Sequence, residues 1–241
     1  MAIKIYRDAT GQLIAADDAL ASAAWLARRT EVETANNILQ KIQQSRAIFW
    51  FNESWLPSGM LYSAVGGSGV VNWYENYIEI QTGATSGSYA YILKSAIGFQ
   101  ISRSWNKKRF LGAEVYFDTL GTQNIFIVIG YVANTGSTSV DEHIGFKLIN
   151  SELYGTVANG TTESTLLLET LSASGFRCLE CVFQPGVECR FYIDGIDKGA
   201  ITTNLPSGAG SAQYMFKVRS HNTAAALKYV SIYAAKVFQE E

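Results

Sequence analysis

From about Ile48 onward, apolar and polar residues alternate in short runs rich in Val, Ile, Phe and Tyr, and clusters of Gly, Ser, Thr and Asn interrupt the runs. A period of two places successive side chains on opposite faces of a strand, and the small polar clusters supply the turns between strands. Strands are predicted over residues 77–81, 89–94, 109–118, 124–132, 144–149, 153–158 and 164–169, and again over 176–183, 187–193, 200–203, 213–219 and 227–238. About a dozen strands with no helical period between them mean antiparallel layers, because parallel pairs need long crossovers. The fold class is mainly β, with one sandwich expected over residues 47–241.

Residues 1–46 follow another pattern. Ile3-Lys4-Ile5-Tyr6 and Gln12-Leu13-Ile14-Ala15 flank Asp8-Ala9-Thr10-Gly11, which predicts a small hairpin around a glycine-bearing turn. Asp17-Asp18 then offers an N-cap to a stretch rich in Ala, Leu, Glu, Gln and Arg that reaches Ser45 without Gly or Pro, so one helix or two are expected. Leu20, Ala24, Ala27, Ala35, Leu39 and Ile42 recur there at three- and four-residue steps, while Arg28, Glu31, Glu33, Asn37 and Lys41 fall mostly elsewhere on the wheel. So narrow a stripe suits an arm that packs on a sister copy or docks on a host surface, or a helix that lies against its own sandwich.

Hydrophobic residues are 48% of the 241 and charged residues 17%, which is enough for a buried core and argues against disorder. A net charge of −2 offers no field to a polyanion, and Arg28-Arg29 and Lys107-Lys108-Arg109 are short clusters far apart, so no nucleic-acid partner is expected. Lys4, Arg7 and Asp8 interrupt the N-terminal apolar positions, so no signal peptide is expected and the chain is read as starting at Met1. The longest apolar run, residues 125–133, is roughly half of what crosses a bilayer as a helix, which predicts a soluble protein without a membrane partner.

The strongest local signal is Phe176-Arg177-Cys178-Leu179-Glu180-Cys181-Val182-Phe183, then Gln184-Pro185-Gly186, then Val187-Glu188-Cys189-Arg190-Phe191-Tyr192-Ile193 and Asp194-Gly195. Leu179, Cys181 and Phe183 share one face of the first strand, and Val187, Cys189, Phe191 and Ile193 share one face of the second. With residues 184–186 as a three-residue loop, position 183 faces 187, 181 faces 189 and 179 faces 191, which keeps both apolar sets on the core side. Cys181 and Cys189 are then cross-strand neighbours, expected to stay reduced and buried, with Cys178 on the other face of its strand.

Arg190-Phe191-Tyr192-Ile193-Asp194-Gly195, followed by Gly199-Ala200-Ile201, resembles the hairpin of the concanavalin A-like lectin/glucanase superfamily, laminin-G-like modules included. His143-Ile144-Gly145-Phe146-Lys147-Leu148 and Tyr229-Val230-Ser231-Ile232-Tyr233 look like that family's flanking and final strands. The resemblance implies an antiparallel jelly-roll sandwich over roughly residues 50–238. A jelly roll behind a hairpin and helical arm is also similar in style to virion proteins of tailed phages, such as capsid decoration, fibre or tail components.

Retaining glucanases need two carboxylates about 5 Å apart on one face. No strand carries that signature: Glu75 and Glu79 stand four apart, and Glu31 and Glu33 fall inside the predicted helix. With only His143 and His221 as imidazoles, no metal site, cofactor or catalytic triad is expected, and Asp141-Glu142-His143 reads as a solvated loop. Glycan binding needs only aromatic platforms with polar neighbours, and Trp73, Tyr74 and Trp105 are the candidate contacts. The expectation is a non-enzymatic structural or interaction protein of a virion, assembling with copies of itself, first as a trimer, and with other virion proteins. A glycan-binding lectin-like module is the alternative.

Overall fold

The computed structural model describes residues 4–7, 13–16, 46–50, 60–64, 67, 69–74, 77–95, 104–118, 120–208 and 214–239. In chain order the strands are β1 (Lys4–Arg7), β2 (Leu13–Ala16), β3 (Arg46–Trp50), β4 (Met60–Ala64), β5 (Val70–Trp73), β6 (Ile78–Gln81), β7 (Tyr89–Ser95) and β8 (Arg109–Phe117). They continue with β9 (Gln123–Gly130), β10 (His143–Ile149), β11 (Glu152–Ala158), β12 (Glu163–Thr170), β13 (Gly175–Gln184), β14 (Glu188–Ile193), β15 (Ile196–Ile201), β16 (Tyr214–Asn222) and β17 (Tyr229–Gln239). The chain divides into two units, residues 1–44 and 45–241. In the first, β1 and β2 pair antiparallel as the expected hairpin, with Tyr6 opposite Ile14. The predicted helix and its stripe, Leu20, Ala24, Ala27, Ala35, Leu39 and Ile42, lie outside the described residues.

The second unit is an antiparallel jelly-roll sandwich. One sheet runs β12-β11-β10-β9-β16-β7-β4, and the other runs β15-β14-β13-β8-β17-β6-β5 with β3 added alongside β17. Alternation decides which residues meet in the middle: Ile125, Ile127 and Ile129 of β9 face inward, and so do Leu111, Val115 and Phe117 of β8, all of them buried. One contact across the sheets depends on a glycine. The Phe191 ring of β14 lies over Gly155 of β11 so closely that a Cβ there would stand 2.7 to 2.8 Å from ring carbons. The same ring meets Phe146 edge to face, 5.5 Å between centroids.

The register of the β13–β14 hairpin corrects the expected one. Phe183 is opposite Cys189, Cys181 opposite Phe191 and Leu179 opposite Ile193. Pro185 and Gly186 occupy the two central positions of a turn closed by Val187 N–H donating to Gln184 O at 3.1 Å, with Gly186 at φ 67 as a type II turn requires. Pro185 is preset for the first of these positions, so the turn spans Gln184 to Val187 and the first strand pair becomes Gln184 with Glu188. Val187 is therefore exposed in the turn and not on the core face. Each facing sum moves by two, so the inward sets survive apart from Val187, and Cys181 and Cys189 become diagonal neighbours, both buried and free. The second turn is as the sequence reads: Asp194 at φ 52 and Gly195 at φ 77 connect Ile193 to its partner Ile196.

Strands β3, β4 and β5 were not among those predicted. Their runs are short; β3 pairs with the distant β17 and β4 with β7, while β5 forms a hairpin with β6.

Candidate functional site

The outer face of the sheet containing β8 and β17 carries a row of aromatic rings. On β17, Val230 and Ile232 point into the core, which sends Tyr229, Ser231 and Tyr233 outward. The same parity turns Glu79 of β6 outward between buried Ile78 and Ile80, and Tyr116 of β8 outward between buried Val115 and Phe117. Register aligns them: Ser231 is opposite Glu79 on one side and Tyr116 on the other, and Tyr116 is opposite Phe176 of β13.

The rings touch in sequence across these strands. Tyr74 stacks on Tyr77 with 4.6 Å between centroids, and Tyr77 stacks on Tyr233 at 5.1 Å. Tyr233 meets Phe176 at 5.0 Å, and Phe176 meets Tyr116 edge to face at 4.9 Å. From β6 to β13 the row crosses three strand spacings, about 14 Å. Beside it lies an open groove of about 240 Å³, walled by Tyr77, Tyr116, Tyr229 and Tyr233 and floored by Ser231. Two carboxylates border it, Glu79 and Asp118. Asn72 donates to one oxygen of Glu79 at 2.9 Å and so orients it. Burial, then the neighbouring Tyr74, Glu79 and Tyr233, raise the pKa of the Tyr77 phenol, so it stays protonated and can donate a hydrogen bond.

Part of the outer face of the opposite sheet is covered by the protein itself. Residues 131–142, between β9 and β10, are held over that face by buried cations. Lys217 Nζ donates to Val132 O at 2.7 Å and to Asn134 Oδ1 at 3.0 Å, and Arg219 donates to Ala133 O at 3.0 Å and Gly136 O at 2.7 Å. Lys147 Nζ reaches Ser137 O at 3.2 Å and pairs with Glu163 at 2.9 Å. Burial, with Arg219 adding to it, lowers the Lys217 pKa to about 8. These donors hold the strap over the described strands of this sheet, chiefly through its backbone carbonyls.

The candidate contacts from the sequence separate. Tyr74 is exposed and begins the ring row. Trp73 is half-buried and packs against the core instead. Trp105 is fully buried: it meets Phe183 edge to face at 5.7 Å, and the Arg109 guanidinium lies 4.3 Å from its ring centroid, so its faces are unavailable to a ligand. The solvated-loop reading of Asp141-Glu142-His143 fails at His143, which is fully buried. Its Nδ1 donates to Asp141 O at 2.7 Å, and its Nε2 lies 3.0 Å from Thr156 Oγ1. Among the described residues no group of three or more His, Cys, Asp or Glu side chains is placed to hold a metal ion.

Sequence reasoning missed Tyr77, Tyr116, Phe176 and Tyr233. Tyr116 and Tyr233 carried one legible signal, an aromatic residue on the polar phase of a strand between neighbours that are buried.

No protein-family model and no curated protein sequence matches the chain. Solved structures do share its fold. A protein of unknown function from Shewanella oneidensis MR-1 aligns over 80% of this chain and 85% of its own, at 13% identity and a TM-score of 0.56. A Bacillus licheniformis β-glucanase aligns over 81% and 99%, at 11% identity and 0.56. The carbohydrate recognition domain of Emp47p aligns over 82% and 96%, at 12% identity and 0.56. The likeness is one of fold, the antiparallel jelly-roll sandwich.

Proposed function

We propose that this chain is a non-catalytic carbohydrate-binding protein whose sandwich holds a glycan along the tyrosine-lined groove, displayed on a larger assembly such as a virion. The observation that carries the glycan reading is the continuous ring row from Tyr74 through Tyr77, Tyr233 and Phe176 to Tyr116, beside an open groove. Ring faces of this kind take the apolar face of a sugar while phenol and carboxylate groups take its hydroxyls. A carbohydrate recognition domain with the same fold is a precedent for the frame.

The non-catalytic part is supported by strand spacing. Glu79 and Asp118 stand on or just beyond strands separated by β17, which puts their backbones about 10 Å or more apart, whereas retaining hydrolysis uses carboxylates about 5 Å apart on one face. A glycan array followed by calorimetric titration tests the reading: a sugar ligand lost in a Tyr77→Ala/Tyr233→Ala variant supports it, and no sugar binding at millimolar concentration overturns it.

The assembly half, with self-association as a trimer and attachment to other virion proteins, is supported by the N-terminal hairpin and by the apolar stripe of the sequence. Deleting residues 1–46 tests it. If the truncated sandwich keeps the full-length oligomeric state and attachment, the arm has no such role.

A further inference from the structure

We propose that the ligand of the tyrosine groove is an oligosaccharide bearing free, protonated amino groups. This rests on the glycan-binding reading and names the substrate class. The groove is lined by four tyrosines, a serine and two carboxylates, with no Lys or Arg among the described residues that line it. Lys228 is next in sequence to Tyr229, but its Nζ is directed to Leu120 O at 3.4 Å.

The two carboxylates differ from those that the sandwich pairs with cations. Glu169 is paired with Arg177 at 2.6 Å, Glu163 with Lys147 at 2.9 Å, and Glu188 and Asp197 with Arg190 at 3.0 and 2.8 Å. Glu79 and Asp118 have no cationic partner among the described residues. Asn72 satisfies one oxygen of Glu79 with a neutral amide, which orients the group without cancelling its charge.

An ionised carboxylate only accepts hydrogen bonds, and an ammonium only donates them. A protonated amine on a sugar meets both needs, and tyrosine ring faces attract the same cation. The sugar ring supplies the apolar face that the stacked Tyr77 and Tyr233 can cover. An acidic sugar would set like charge against Glu79 and Asp118, and an N-acetylated one would leave both carboxylates without a counter-charge. The groove is open to solvent, so the preference for amines should weaken with added salt.

The test titrates the full chain at about pH 6, where sugar amines carry protons. The probes are a glucosamine tetramer, its N-acetylated form, a galacturonic acid tetramer and a lysine peptide of equal charge. The glucosamine tetramer should bind at least about tenfold more tightly than its acetylated form, and the galacturonate should not bind. Glu79→Gln/Asp118→Asn should abolish that tenfold preference, with circular dichroism confirming the fold. Equal affinity for acetylated and free forms overturns the amine inference and leaves the glycan reading standing. If no oligosaccharide binds, both fall. A lysine peptide that binds as tightly and ignores Tyr77→Ala/Tyr233→Ala identifies a charged patch only, which overturns the inference.

Discussion

Tyr77 and Tyr233 lie nearly face to face, with 5.1 Å between ring centroids and 25° between planes, joining the residue just before β6 to the middle of β17 on the outer face of the sheet. Both are partly exposed, so the pair shapes the surface more than it holds the core. Replacing either by alanine should weaken a bound glycan roughly fivefold, the equivalent of about 1 kcal/mol of ring contact, and should leave the melting temperature nearly unchanged. Calorimetric titration beside thermal unfolding reads both effects.

His143 should make the sandwich sensitive to acid. Burial lowers its pKa from 6.5 to about 4, with a smaller contribution from Lys147, against the opposing hydrogen bond that its Nδ1 donates to Asp141 O. Between those values the unfolded chain takes up a proton that the folded one refuses, so stability falls as the pH falls from about 6.5 to about 4, by about 3 kcal/mol in all. Urea midpoints measured across that range should slope accordingly, and His143→Gln, which has nothing to titrate there, should flatten the slope.

Gly155 should not tolerate a side chain. A Cβ would press on the Phe191 ring, which is already fixed against Phe146, so Gly155→Ala should cost about 1 to 3 kcal/mol by overpacking. Phe191→Ala should cost about 3 to 5 kcal/mol through the cavity it leaves. The double variant should be less destabilised than the sum of the two, because the cavity accepts the new methyl group. Denaturant titration of the three variants decides the matter.

The three cysteines should differ in access. Cys181 and Cys189 are buried and reduced, and burial together with the hydrogen bond to Cys181 holds the Cys189 thiol well above its usual range. Cys178 is half-buried on the outer face, where desolvation and the nearby Glu180, Glu114 and Asp194 raise its pKa. Native alkylation followed by mass spectrometry should label Cys178 slowly and the other two only in denaturant. An intramolecular disulfide in the native protein would contradict this arrangement.

Local chemistry made much of the sandwich legible. Asp194-Gly195 adopts positive φ at both positions wherever strands flank it closely, so that turn and the pairing of Ile193 with Ile196 follow from a few adjacent residues. The Pro185-Gly186 turn is equally local, but its placement one residue later than expected changed every partner along the hairpin. The faces were unaffected, because a facing sum that changes by two preserves a pattern of period two.

The sequence by itself determined most of the strands from β6 onward and which side of a strand most of their residues take, since alternation is a property of neighbours along the chain. It therefore placed Leu179, Cys181 and Phe183 in the core and left Tyr229, Ser231 and Tyr233 on a polar phase. Only the tertiary structure decided that β6, β17, β8 and β13 lie side by side, bringing Tyr77, Tyr233, Tyr116 and Phe176 from distant parts of the chain into one row. It also decided that Trp105 is spent in the core and that residues 131–142 lie over part of the other face. Strand order is set by the packing free energy of the whole core, a sum over long-range contacts that no short stretch of sequence contains.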